Sequence, residues 1–282
     1  MNYRHAFHAG NFADVLKHVV VARILVHLCQ KPAPFRVLDT HAGAGLYDLS
    51  GPEASRTGEW RAGIGAITKA VLPEGVRALL APYLDAVAAL NPAANLRRYP
   101  GSPLLALALM RPQDRLIACE LDATAAAALG LHLAADRRAK AIAIDGWTAL
   151  NAYVPPKERR GLVIVDPPYE DKDEFSRLAH NLETAHRKWP TGCYALWYPI
   201  KARAEPDALA KRIRRAGIAK VLRAECLLAP QDPNRLTGAG VIIVNPSWTL
   251  ESELRQLLPT LASALGRTGS SGFTLDWLAG ER

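Results

Sequence analysis

A chain of 282 residues with 49% hydrophobic and 22% charged content is long enough to bury a large core and has the composition of an ordinary globular protein, not of a low-complexity one. A formal net charge of +8 and a pI near 9.5 favour a polyanionic partner. The start Met1-Asn-Tyr-Arg-His5 has no apolar signal core, and Arg23 and His27 interrupt the most apolar helix, so a cytoplasmic protein without a membrane segment is expected.

The opening Tyr3-Arg-His-Ala-Phe-His-Ala-Gly-Asn11 is polar and aromatic and precedes any regular element. Asn11 is placed to cap a helix, with Asp14 near its positive end. Val15, Leu16, Val19, Val20, Leu25 and Leu28 give that helix a broad buried face. Lys17 and His18 fall in its first turns, where a bound ligand would be met; His18 is equally an i,i+4 partner for Asp14. Phe35-Arg-Val-Leu-Asp39 reads as the first strand. The turn after it, Thr40-His-Ala-Gly-Ala-Gly45, lets backbone approach a cofactor closely, but it lacks the third glycine of the dinucleotide fingerprint. It resembles the D/E-x-x-x-G-x-G loop under S-adenosylmethionine in Rossmann-like methyltransferases, with Asp39, Gly43 and Gly45 at the matching positions.

The second strand should follow after one helix, yet its best candidate, Arg115-Leu-Ile-Ala-Cys-Glu120, comes much later. Two amphipathic patterns lie between, near 60–71 and 75–90, broken at Pro73 and Pro82. Residues 46–99 are therefore expected to form a small helical insertion in a domain made of residues 1–45 and 100–282. The insertion is either padding or, from its place beside the cofactor face, a substrate holder. Ser102 is expected to cap a helix through Leu104–Met110, with Pro103 in the first turn, a place suited to a carboxylate. Glu120 at its strand end is suited to both hydroxyls of a ribose, or is simply solvated.

Leu121–Ala135 reads as helix and Lys140-Ala-Ile-Ala-Ile-Asp145 as a third strand ending in Asp145-Gly146. Gly161–Val165, Gly192–Ile200, Lys220–Leu228 and Gly240–Asn245 supply the fourth to seventh strands, with helices near 172–188 and 205–216. No helix fits between the last two strands, so the seventh returns antiparallel through the loop 229–239. The expected fold is α/β and Rossmann-like, with a seven-stranded, mostly parallel sheet. That topology leaves Lys157, Arg159 and Arg160 as solvated charge on the edge away from the chemistry. It sets Lys201, Asn234 and Arg235 on the catalytic edge, as candidates for phosphate or base contacts. Gly266–Gly272 reads as a loop, and Thr274-Leu-Asp-Trp-Leu278 as one more packed segment.

Four cysteines, Cys29, Cys119, Cys193 and Cys226, lie in apolar segments without a C-x-x-C pair and read as reduced, buried thiols. His5 and His8 are too few for a metal site, and no metal is expected.

The stretch Gly161-Leu-Val-Ile-Val-Asp-Pro-Pro-Tyr169 carries the chemistry. A buried strand stops at Asp166, and two prolines forbid further ladder donation. A carboxylate, two rigid carbonyls and a ring are thus presented at the carboxyl end of a strand, where open α/β sheets bind ligands. The tetrad is readable as a mere strand terminator; it also resembles the Asp/Asn/Ser-Pro-Pro-aromatic signature of amino-methyltransferases that use S-adenosylmethionine. The lone pair of an adenine amine is delocalised into the ring. Asp166 accepting one amine hydrogen and the Pro167 carbonyl the other would favour a pyramidal nitrogen, with Tyr169 as a stacking face worth about 1–3 kcal/mol.

The strings Tyr3-Arg-His-Ala-Phe-His-Ala-Gly-Asn-Phe-Ala-Asp-Val-Leu-Lys-His18, Leu38-Asp-Thr-His-Ala-Gly-Ala-Gly45, Tyr99-Pro-Gly-Ser-Pro103, Asp166-Pro-Pro-Tyr169, Ala195-Leu-Trp-Tyr-Pro199 and Val241-Ile-Ile-Val-Asn-Pro246 occur together. In combination, along essentially the whole chain, they resemble the bacterial large-subunit ribosomal RNA methyltransferase J family. The resemblance implies an enzyme that makes N6-methyladenosine in 23S ribosomal RNA, at adenine 2030, from S-adenosylmethionine, yielding S-adenosylhomocysteine. It implies cofactor contacts at His18, His41, Gly43, Ser102, Glu120, Asp145, Gly146 and Asp166, with Asp166 also catalytic beside Pro167 and Tyr169. Tyr3, His5 and Lys17 would face the RNA, and the chain is taken as a monomer by default. The rival readings are a DNA adenine-N6 methyltransferase and a noncatalytic RNA-binding or assembly protein on a methyltransferase scaffold. The first would bring a sequence-reading domain for which no stretch is spare; the second would fail to bind S-adenosylmethionine. An NAD oxidoreductase is more distant, for want of the third fingerprint glycine.

Overall fold

The computed structural model describes residues 4–93, 95–266 and 271–280. After a 3-10 turn at His5–Phe7 the chain forms α1 (Phe12–Cys29) and β1 (Arg36–Asp39). It then leaves the alternation through β2 (Leu46–Asp48), α2 (Pro52–Thr57), α3 (Glu59–Ala62), α4 (Ile64–Ile67), α5 (Glu74–Ala89) and β3 (Arg98–Pro100), returning by α6 (Ser102–Leu109). Regular alternation follows: β4 (Arg115–Glu120), α7 (Ala123–Leu133), β5 (Ala139–Ala143), α8 (Gly146–Tyr153), β6 (Gly161–Val165), α9 (Glu174–Lys188), β7 (Cys193–Ile200) and α10 (Ala204–Arg215). The chain ends with β8 (Val221–Leu227), β9 (Gly238–Val244), α11 (Leu250–Leu265) and β10 (Gly272–Ala279).

The main sheet has the order β10-β8-β9-β7-β6-β1-β4-β5. From β5 to β7 all neighbours are parallel; β9 runs antiparallel between β7 and β8, as its helix-free connection requires. The sheet has eight strands where seven were expected, because β10 adds antiparallel to the edge of β8. Arg223 on β8 clamps Asp276 on β10 with bonds of 2.7 and 2.9 Å. As an edge strand β10 buries only Leu278 well and leaves Phe273 and Trp277 about two-fifths exposed, which removes the clean alternation that marks a strand.

Successive strand residues feed opposite layers. Val37, Leu162 and Ile164 pack with α1, α5, α6 and α11, while Leu38, Val163 and Val165 pack with α8, α9 and α10. α1 is buried nearly all round because it lies between the sheet and a second helical layer. Each wholly buried residue of its core face, such as Leu16 or Leu25, contributes roughly 1.5–3 kcal/mol. A bidentate pair, Arg23 to Glu253 at 2.9 and 3.0 Å, ties it to α11.

Between β1 and β4 the chain differs in detail from the expectation. The pattern near 60–71 resolves into short helices separated by Gly58 and Gly63, and Pro82 lies inside α5 instead of breaking it. Val76, Leu80, Tyr83 and Val87 lock that helix by burial, which outweighs the missing donor at Pro82. The two ends of the excursion are zipped by the β2–β3 ribbon, with Tyr47 opposite Tyr99. Ser102 is the first residue of α6, not its cap; Gly101 takes that place, its amide held by the Gly45 carbonyl at 2.7 Å. No helix among the described residues is long and apolar enough to cross a membrane.

Candidate active site

The carboxyl ends of β1, β4, β5 and β6 open into one cleft of about 770 Å³, within the range of small-molecule sites. Its floor is built by the turn after β1, where Gly43 and Gly45 adopt φ of +61° and +80°. Glu120 is fixed by backbone alone. One carboxylate oxygen accepts from Leu121 and Asp122 amides, the other from Gly43, all at 2.8 Å. These three bonds leave an acceptor site free on Oε2, and the residue lines the cleft. Asp145 caps α8, its Oδ2 accepting from the Thr148 amide at 2.8 Å and hydroxyl at 3.0 Å. At Gly146 a Cβ would fall 2.3 Å from the Thr40 carbonyl and 2.6 Å from His41 Nε2, so only glycine fits there. His41 meets Trp147 edge-on at 5.2 Å, and burial pushes its imidazole down to about 4.

Beneath this floor lies Asp39, wholly buried, with neither carboxylate oxygen in a well-formed hydrogen bond. Burial raises its pKa to about 7, an effect that the nearby Ser102 hydroxyl and Lys17 ammonium only partly offset.

The opposite wall comes from the first turns of α1. Asn11 caps that helix, its side chain accepting from Ala13 and Asp14 amides at 2.9 and 3.1 Å. Asp14 then collects His5 Nε2 and the Gly10 amide on Oδ2, both at 2.9 Å, and Lys17 on Oδ1 at 2.8 Å. Lys17 reaches onward to Asp166 Oδ2 at 2.5 Å. Burial alone would depress the Lys17 pKa, but the carboxylates of Asp14 and Asp166 outweigh it and raise the value well above the ordinary lysine range. Asp14 is likewise carried well below the usual carboxylate range by His5 and Lys17, against the opposing effect of its own burial. A line of hydrogen-bonded and ion-paired side chains thus runs from His5 through Asp14 and Lys17 to Asp166.

Among the residues singled out from sequence, His5, Lys17, His41, Gly43, Ser102, Glu120, Asp145, Gly146 and Asp166 line this cleft together. His18 does not. It is wholly buried behind Lys17, its Nδ1 2.7 Å from the Tyr99 hydroxyl and its ring stacked on Tyr99 at 5.4 Å. Burial drives its pKa to about 3, and its Nε2 stands 4.0 Å from Asp14. Pro168 lines the cleft whereas Pro167 is buried. Tyr169, at φ +49°, packs its ring on Phe175 and Trp197 and donates its hydroxyl to the Trp197 carbonyl at 2.8 Å. Tyr3 lies outside the described residues. Lys201, Asn234 and Arg235 sit in the loops beyond the carboxyl end of β7 and contribute nothing to the cleft wall.

Several lining residues escaped sequence reasoning, among them Tyr47, Trp147, Glu174 and Arg177. Trp147 follows the Asp-Gly signal directly, its indole N–H donates to Glu174 at 3.1 Å, and Arg177 stacks over it at 5.4 Å. Seven carboxylates but only three Lys or Arg side chains line the cleft. Such a lining suits a small cation, and a sulfonium that also carries an ammonium is one.

The sequence model of the family described as "Ribosomal RNA large subunit methyltransferase D, RlmJ" matches residues 32–279. Two proteins named ribosomal RNA large subunit methyltransferase J align over 100% of both chains. That of Haemophilus influenzae is 39% identical and that of Escherichia coli K12 is 40% identical. Among solved structures, protein LPL1258 of Legionella pneumophila is similar with a TM-score of 0.87 and 35% identity, over 95% of this chain and 98% of its own.

Proposed function

The chain belongs to the ribosomal RNA large subunit methyltransferase family RlmJ, and we propose that it transfers a methyl group from S-adenosylmethionine to N6 of an adenine in 23S ribosomal RNA. It is an enzyme, a ribosomal RNA methyltransferase. The cofactor supplies an electrophilic methyl on a sulfonium. Glu120 would take the ribose hydroxyls, Asp145 and Gly146 the adenine edge, and Ser102 at the start of α6 the methionine carboxylate. His41 and Gly43 would close against the cofactor's back, with His18 holding the Tyr99 side of the wall through its buried hydrogen bond.

The observation that carries the reading is the Lys17–Asp166 contact. Lys17 occupies Asp166 Oδ2 and fixes the carboxylate plane, leaving Oδ1 to accept a hydrogen of the adenine amine. The Pro167 carbonyl is assigned the second hydrogen. Both acceptors favour a nitrogen whose lone pair points along the line of methyl transfer. No strong base is needed, because the amine proton becomes acidic only once the methyl has arrived. Tyr169 would support the target base from the side of β7, and Tyr3 and His5 would meet the RNA opposite. The base must be unpaired or flipped to enter. Residues 46–99 are proposed as an inserted subdomain that holds the RNA, since Tyr47 at its base already lines the cleft. The reading takes the chain to act as a monomer in the cytoplasm, where its ribosomal RNA substrate would be met.

The test is transfer of tritium from labelled S-adenosylmethionine to unmodified 23S ribosomal RNA and, in parallel, to duplex DNA. Label in the RNA and none in the DNA is expected. Label in DNA alone would replace the RNA reading.

A further inference from the structure

The active site is acidic, yet the chain carries a net charge of +8. The surplus cations therefore lie elsewhere. On the opposite, amino edge of the sheet a second cleft of about 510 Å³ opens at the starts of β6 and β7. Lys31, Arg159, Arg160 and Lys220 line it, and among the described residues no Asp or Glu does. Three described carboxylates near it have cationic partners of their own. Glu158 is held by Arg36, Glu253 by Arg23, and Glu251 by Arg255 and the Trp277 indole. Lys31 and Arg159 are exposed and have no carboxylate partner among the described residues. Arg160, expected as solvated charge, instead donates to the carbonyls of Leu28 and Ala33 at 2.5 and 2.8 Å and shapes the wall.

Two further observations mark this cleft. Trp248, on the turn before α11, lines it with 85% of its surface in water, a large ring left uncovered in the same cleft as Lys31 and Arg159. Arg159, Lys220 and Asn245 sit at φ of +53°, +54° and +52°, three of the four left-handed non-glycine residues among those described. Such backbone persists where the surroundings over-determine it, commonly at binding sites. Asn245 is pinned by its side-chain bonds to the Pro190 and Gly192 carbonyls, both 2.8 Å.

We infer that this amino-edge cleft is a second docking surface for the substrate RNA, taking an unpaired stretch with one base on Trp248 and flanking phosphates on Lys31 and Arg159. The inference rests on the ribosomal RNA reading above. The exposed cations Lys31 and Arg159 attract the backbone, and an exposed indole offers every base a face, the combination by which single strands are held. The two clefts lie a strand length apart, roughly 15–20 Å, a distance that a folded RNA spans. The surface sets where the RNA sits without touching the methyl transfer.

The experiment compares the wild-type chain with Trp248→Ala and with Lys31→Gln/Arg159→Gln. Filter binding of a 23S ribosomal RNA transcript is measured against salt, beside methylation kinetics on that transcript and on a short hairpin around the adenosine that receives label. Trp248→Ala is expected to raise KM on the transcript roughly tenfold, with kcat, S-adenosylmethionine affinity and hairpin methylation unchanged. The double variant is expected to reduce the slope of log K against log salt by about 1.4. Unchanged transcript affinity, KM and slope would overturn the inference. So would a defect seen only on a precursor particle, which would make the surface a protein contact. If the wild type binds the transcript without methylating it, the ribosomal RNA reading fails, and the binding difference still decides the surface. If the wild type does not bind the transcript at all, both fall.

Discussion

Lys17 Nζ lies 2.5 Å from Asp166 Oδ2 and 2.8 Å from Asp14 Oδ1, so a single buried ammonium joins the helix before the sheet to the carboxylate that ends β6. Lys17→Met removes the cation from Asp166 Oδ2 and from Asp14 Oδ1, leaving Asp14, 2% exposed, held on Oδ2 alone by His5 and the Gly10 amide. The expected cost is about 3–5 kcal/mol of stability by urea unfolding. Methyl transfer should fall roughly a hundredfold, because Asp166 loses its fixed plane. A variant of wild-type stability and activity would remove Lys17 from the account.

Glu120 gives a prediction centred on the cofactor. Its three backbone donors at 2.8 Å hold an acceptor-only group toward the cleft. Glu120→Gln loses the charge that strengthens bonds to ribose hydroxyls, and its amide nitrogen, best set opposite the single Gly43 donor, gives up that bond. S-adenosylmethionine affinity measured by calorimetry should drop about ten- to hundredfold, and the unliganded chain should lose about 1–3 kcal/mol of stability. Unchanged affinity would take Glu120 out of the cofactor site.

Buried titratable groups make stability depend on pH with two opposing signs. His18 is held neutral in the fold, its pKa brought to about 3. The unfolded chain binds a proton that the folded chain refuses, so stability is lost as pH falls below about 6.5. His18→Gln should therefore gain about 2 kcal/mol relative to wild type on going from pH 8 to pH 5. Asp39, raised to about 7 by burial, runs the other way. The folded chain keeps a proton that the unfolded chain releases, so its contribution weakens as pH rises from about 4 to 7. Asp39→Asn should accordingly gain stability relative to wild type on going from pH 5 to pH 8. Urea unfolding at the two pH values checks both signs, and parallel pH profiles for wild type and variants would contradict them.

What was legible in the sequence follows from the way parallel strands are buried. β1, β4, β6 and β7 are continuous apolar runs that stop at Asp39, Glu120, Asp166 and Ile200, so their carboxyl ends could be set on one edge before any coordinates. The antiparallel β9 followed from the missing helix before it. The Lys17–Asp166 contact was not legible, because it joins residues 149 apart and no local pattern encodes which strand end a helix will face. Nor was the burial of His18, which depends on Tyr99 closing over it from the far end of the excursion. α8 and α11 went unread, although Asp145-Gly-Trp-Thr148 is a capping signal and Leu250, Leu254, Leu257, Leu258, Leu261 and Leu265 recur at helical spacing. Pro259 within α11 obscured the second of these.

The central claim is that Asp166 works on an adenine amine. It is tested by digesting 23S ribosomal RNA after incubation with labelled S-adenosylmethionine and either wild type or Asp166→Ala, then separating the nucleosides. The account predicts label in N6-methyladenosine with wild type, and a loss of about a hundredfold or more with the variant, while the variant still folds and binds cofactor. Label in any other nucleoside, or an undiminished rate without the Asp166 carboxylate, would contradict it.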